Sequence, residues 1–171
     1  MPFLASALAY GVPRQCGNAF IALILSASLA TAEPVTVVAL GDSLTAGYGL
    51  PENEGFVPQL QGWLDDRGAD ALVVNAGVSG DTSAGGLARL DWSLTPETDA
   101  LIVALGGNDL LRGLDPALTR GNLDAILAKA FDRGLPALLI GLPGPSNYGA
   151  DWKRQFDAIF PELAQKHGAM M

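Results

Sequence analysis

Two textures alternate along the chain. Predominantly apolar runs at residues 35–40, 71–75, 99–105 and 137–142 have strand length. Their lack of polar alternation is the mark of strands covered on both faces of a parallel sheet. Between them apolar residues recur at helical spacing. Phe56, Leu60, Trp63 and Leu64 form one stripe over 56–67, and Leu87 and Leu90 another in a helix beginning near Thr82. Leu123, Ile126, Leu127, Ala130 and Phe131 form a third, opened by Asp115-Pro116 and closed by Gly134. Asp followed by Pro is a cap with proline at the first helical position, where its missing N–H costs nothing. Trp152, Phe156, Ile159, Phe160 and Leu163 form a fourth over 151–166, with Pro161 inside it expected to kink or interrupt the helix. All four stripes are expected to face the core. The order β-α-β-α-β-α-β-α predicts one α/β domain, a parallel sheet with helices on both faces.

The strand ends carry the chemistry. The first strand runs into Gly41-Asp42-Ser43-Leu44, with Gly47 and Gly49 just beyond. In open α/β sheets, loops at the carboxyl ends of strands are where ligands bind. This is not a G-x-S-x-G elbow, because Thr45 stands where the second glycine would be. Two readings remain: an exposed nucleophile at Ser43, or a simple helix cap by Asp42 or Ser43. The second strand leads to Ser79-Gly80-Asp81-Thr82-Ser83, where the Gly80 N–H is unobstructed. The third ends in Gly106-Gly107-Asn108-Asp109, with an amide donor at Asn108. Each also reads as a turn followed by a cap, Asp109 included. Parallel strands bring all three loops to one edge. A hydroxyl there, beside fixed hydrogen-bond donors, is what acyl transfer requires, each oxyanion donor being worth about 3 kcal/mol in the transition state.

Together these blocks resemble the first three signature blocks of the SGNH (GDSL) hydrolases. Gly85-Gly86-Leu87-Ala88-Arg89-Leu90 and Asn147-Tyr148-Gly149 extend the likeness to the family's bacterial periplasmic branch of thioesterases, lysophospholipases and arylesterases. The resemblance covers 35–168. It implies a flavodoxin-like three-layer α/β/α sandwich, with Ser43 as nucleophile. It also implies an oxyanion hole from the Ser43 and Gly80 N–H groups and the Asn108 side chain. Asp42, Asn147 and Tyr148 would border the substrate. The implied substrates are small esters, thioesters or lysophospholipids, with no metal or organic cofactor.

The family's fourth block, Asp-x-x-His, is absent, and the single histidine is His167. Sixteen residues of helix running back from the catalytic edge would carry His167 about 24 Å away. A general base must come within about 3 Å of the hydroxyl or act through one water. His167 is therefore expected to be a surface histidine, and no base or orienting acid is found. The expected explanation is that the chain stops before a final strand and helix that would have carried the Asp-His pair, through a truncated gene, a frameshift with 168–171 as its tail, or a partial sequence. A catalytically inactive module that holds an acyl ester in the same pocket is the competing expectation.

Composition narrows the rest. The 171 residues carry a net charge of −8, which argues against a nucleic-acid partner. Phosphate-cradling runs such as G-x-G-x-x-G are missing after the first strand, which argues against a nucleotide or flavin binder. Residues 1–32 read as a secretory signal: Arg14, an apolar stretch over 19–30, then Ala30-Thr31-Ala32. That stretch is shorter than the roughly 20 residues a bilayer span needs, so no stable membrane span is expected after cleavage. Removing Arg14 takes the mature domain, 33–171, to a net charge of −9, and Cys16 leaves with the signal. A cysteine-free domain suits a periplasmic or secreted location.

Overall fold

A computed structural model describes residues 33–171; the predicted signal segment, Cys16 included, lies outside the described residues. Four parallel strands form one sheet: β1 (Val35–Gly41), β2 (Ala71–Gly77), β3 (Ala100–Ala104) and β4 (Ala137–Leu139). Their order is β2-β1-β3-β4, the flavodoxin-like winding expected from the alternating pattern. Val38 is paired with Val74 on one side and Leu101 on the other. Outside β4, Met170 makes a single parallel bridge to Leu138.

Side chains alternate across the pleat, and both faces are covered. Val38, Leu40, Leu101, Val103 and Leu139 point into the larger core. It is closed by α3 (Ser83–Ser93), α5 (Pro116–Asp132) and α6 (Ala150–His167). Ala39, Val73 and Ile102 point the other way, onto α2 (Phe56–Asp65). This two-sided burial explains why the strands read as continuous apolar runs. Two short helices, α1 (Ser43–Ala46) and α4 (Gly107–Leu111), follow β1 and β3 directly.

Three expectations about helix faces need correction. In α2 the buried residue is Val57, with Leu60 and Leu64 packed beside it, while Phe56 and Trp63 are exposed. Trp63 is instead covered by the Arg67 guanidinium, 3.8 Å from its ring centroid. The stripe was misjudged because an aromatic at helical spacing satisfies the period as well as Val57 does, and Leu60 and Leu64 serve either face. In α5, Leu123, Ile126, Leu127 and Ala130 are buried but Phe131 is exposed, one residue past the buried stripe. In α6, Pro161 does not interrupt the helix, which runs unbroken from Ala150 to His167. Pro161 is on the exposed side, and buried Ile159, Phe160, Leu163 and Ala164 hold the turns around it to the core. The lost N–H bond therefore falls where water can serve the free carbonyl.

Candidate active site

The β1 strand stops at Gly41 because nothing larger fits. A side chain there would collide with Thr45 Oγ1, and one at Gly77, the end of β2, would meet the Ala46 backbone. The two glycines let α1 sit directly on the ends of β1 and β2. Asp42 is the buried cap of α1: its Oδ1 accepts the Leu44 N–H at 3.0 Å. The cap reading was thus right for Asp42, and it leaves Ser43 half-buried in the first turn of α1 with its hydroxyl uncommitted to capping. The Ser43 carbonyl accepts the Gly47 and Tyr48 N–H groups, closing the loop behind it.

Gly80 has φ of 85°, a backbone conformation that favours glycine. The Asp81 N–H returns to the Val78 carbonyl at 3.1 Å, so 78–81 is a tight turn. Asn108 lies in the first turn of α4, entered through Gly106 at φ of 108°. Its Nδ2 donates to Asp42 Oδ2 at 3.2 Å and to the Asp81 carbonyl at 2.9 Å. One amide therefore bonds to the residue before Ser43 and to the residue after Gly80. The three predicted residues, Ser43, Gly80 and Asn108, belong to loops that this amide ties together.

Asn147 and Tyr148 are placed differently. Tyr148 leans on the far end of α4, its hydroxyl 3.3 Å from the Leu111 carbonyl and its ring against Gly113. It starts an aromatic series along α6: Tyr148–Trp152 at 4.8 Å between centroids, Trp152–Phe156 at 5.0 Å and Phe156–Phe160 at 5.6 Å. Asn147 is exposed. Among the described residues no hydrogen bond joins either residue to Ser43, Gly80 or Asn108. The cavity beside the Ser43 turn, about 180 Å³, is lined instead by Asp42, Leu44, Thr45, Phe56, Ala104, Ile140 and Leu142. Phe56 was read as core and is part of this cavity wall.

His167 is held elsewhere. Its Nε2 lies 2.6 Å from Asp124 Oδ1, and it lines a cavity with Pro136 and Ala137, at the start of β4. That is the amino edge of the sheet, whereas Ser43 follows a carboxyl end. Asp124 is bonded by Lys166 and His167, in that order of effect, and both hold its carboxyl below the usual range. Among the described residues there is no group of three or more His, Cys, Asp or Glu suited to a metal ion. No described helix is long and apolar enough to cross a membrane.

The structure also shows supports that the sequence did not single out. Asp109, read as a cap for its own turn, lies inside α4 and is buried. Its Oδ2 accepts the Ser83 N–H at 2.7 Å, and its Oδ1 accepts the Ser83 and Thr119 hydroxyls at 2.5 and 3.1 Å. Asn122 donates to Ser83 Oγ at 2.9 Å. The residue next to Asn108 thus locks α4 to the starts of α3 and α5. An acidic residue after a strand-end Gly-Gly-Asn was visible; its long-range partners were not.

A model of the GDSL-like lipase/acylhydrolase family matches residues 39–170. The chain belongs to that family. It is 46% identical over 145 residues to "Esterase TesA" of Pseudomonas aeruginosa, covering 84% of this chain and 71% of the relative. To "Thioesterase 1/protease 1/lysophospholipase L1" of Escherichia coli K12 it is 38% identical over 148 residues, 86% of this chain and 69% of the relative. Among solved structures, the SGNH-hydrolase family esterase AlinE4 superposes with a TM-score of 0.77 at 47% identity, covering 81% of this chain and 75% of that one. By family, this chain is a hydrolase of the class that acts on ester bonds.

Proposed function

We propose that this GDSL-family chain is a serine ester hydrolase in which Ser43 attacks the carbonyl carbon and forms an acyl-enzyme. The observation that carries the proposal is the Asn108 amide, which bonds to Asp42 and Asp81 and so gathers the three strand-end turns. The oxyanion would be received by the Ser43 and Gly80 N–H groups and the Asn108 Nδ2. The 3.2 Å bond to Asp42 is at the long end of the N–H···O range, so it is the one an entering oxyanion would displace. The acyl chain would enter the 180 Å³ cavity, whose Leu44, Phe56, Ala104, Ile140 and Leu142 walls suit an apolar group. Small aryl esters, thioesters and lysophospholipids are the proposed substrate classes, in keeping with the names of the relatives. The signal pattern of residues 1–32 supports a periplasmic or secreted location.

Acyl transfer also needs a base, and His167 faces Asp124 at the opposite sheet edge. Losing the base of a serine hydrolase costs on the order of 10⁴- to 10⁶-fold in rate. This observation favours a second reading, in which the chain holds an acyl ester without turning it over. Hydrolysis of a short-chain p-nitrophenyl ester by the wild type and Ser43→Ala separates the two. Turnover lost in the variant supports the hydrolase. Equal turnover removes Ser43 from the mechanism. Binding without turnover in either protein supports the second reading.

A further inference from the structure

Arg89 lies on α3, outside the three turns described above, yet its guanidinium reaches two of them. Its Nη2 donates to the Gly41 carbonyl at 2.9 Å and its Nη1 to the Ala76 carbonyl at 2.8 Å. Its Nε donates to Asp81 Oδ2 at 2.6 Å, and Nη1 also meets Ser93 Oγ at 3.3 Å. Arg89 and Asp81 are both largely shielded, their side chains 22% and 18% exposed. One rigid fork thus holds the last carbonyl of β1, two residues before Ser43, and the carboxylate next to Gly80. The Gly41 carbonyl accepts a second bond from the Val78 N–H at 3.0 Å, inside the same cage.

The backbone around this cage leaves little alternative. A side chain at Gly85 would press on the Asp81 carboxylate, and one at Gly86 would collide with Leu105. These glycines let α3 approach closely enough for Arg89 to reach across. The Asp81 residue then works in two directions: its carboxylate takes Arg89, while its carbonyl takes Asn108 Nδ2 at 2.9 Å. Arg89 is therefore coupled to the nucleophile turn directly and to the Asn108 donor through Asp81.

We propose that Arg89 is a positioning residue for acyl transfer, holding the Ser43 turn and the Gly80-Asp81 turn in fixed register. The proposal rests on the reading that Ser43 and Gly80 act on one carbonyl. Arg89 touches no reacting atom. Its contribution is to keep the attacking oxygen and the oxyanion donors at the separation the tetrahedral intermediate requires. Lysine keeps the charge but lacks the planar fork, so it can hold one or two of these partners at a time.

Arg89→Ala and Arg89→Lys are compared with wild type and Ser43→Ala on a p-nitrophenyl ester, with hydrogen exchange followed by mass spectrometry. A misplacement of about 1 Å away from the chemistry can cost on the order of 10²-fold, and that is the expected fall in kcat for Arg89→Ala, with KM unchanged. Arg89→Lys recovers part of it. Amide exchange rises over 41–48 and 76–83 in Arg89→Ala, while amides of α5 and α6 keep wild-type protection. An unchanged kcat overturns the proposal, as does a rise in exchange spread evenly over the chain. If wild type shows no turnover above Ser43→Ala, the hydrolase reading fails, and exchange alone decides on Arg89. A rise confined to the two turns then upholds the register role, and no change or a uniform rise refutes it.

Discussion

Asp109→Ala removes the one group that three buried donors share. The carboxylate accepts the Ser83 N–H, the Ser83 hydroxyl and the Thr119 hydroxyl, and all three residues are buried. The backbone N–H of Ser83 cannot turn away, so leaving it unpaired costs about 1–3 kcal/mol. The two hydroxyls can rotate toward helix carbonyls, which places each near the lower end of that range, about 1 kcal/mol. The expected loss is about 3–5 kcal/mol, a large share of the roughly 5–15 kcal/mol that holds a domain folded. Urea unfolding followed by tryptophan fluorescence measures it, the midpoint falling while the slope stays constant. Asp109→Asn should lose less, because one oxygen still accepts the Ser83 N–H. A loss below about 1 kcal/mol for alanine would refute the view that Asp109 is what fixes α4, and with it Asn108, to the body of the domain.

Other outcomes follow from the same contacts. Asn108→Ala should lower kcat by about 10²- to 10³-fold in an ester assay, the usual cost of one oxyanion donor. Phe156→Ala, deleting a fully buried ring stacked on Trp152 and edge-on to Phe160, should cost about 3–5 kcal/mol in urea unfolding. Gly77→Ala should displace α1, since its methyl meets the Ala46 backbone; a destabilisation of about 1–3 kcal/mol is expected. Asp124 gives a pH signature. Its carboxyl is held below its ordinary 3.8 by Lys166 and then His167, so its contribution to stability is present above that value and is lost as pH falls through the lowered one. Asp124→Asn should therefore flatten the acid limb of a stability–pH profile.

What the sequence disclosed and what it withheld divide along the range of the interactions. The strand runs, the Asp115-Pro116 start and the inward face of α6 depend on neighbours a few residues away, and each stands in the structure where the pattern put it, except that the fourth strand, expected over 137–142, ends at Leu139. The convergence of Ser43, Gly80 and Asn108 was readable because parallel strands all deliver their ends to one edge. Phe56 and Trp63 were misread because periodicity reports spacing and not which side of a stripe the sheet will cover. Arg89 and Asp109 were invisible as supports, since their partners lie up to 48 and 26 residues away and no local rule links them. Tyr148 is a similar case. Its motif says nothing of the packing on Trp152 and Gly113 that sets its ring at the far end of α4.

The central claim is that Ser43 is a nucleophile aimed into a built site and not only a residue in a capped turn. The most direct measurement is intact-protein and peptide mass spectrometry after incubation with an alkyl fluorophosphonate. The account predicts one phosphonyl adduct on the peptide bearing Ser43, absent from Ser43→Ala and slowed in Asn108→Ala. An adduct on any other residue, or an unmodified Ser43 after prolonged incubation of the folded protein, would contradict it.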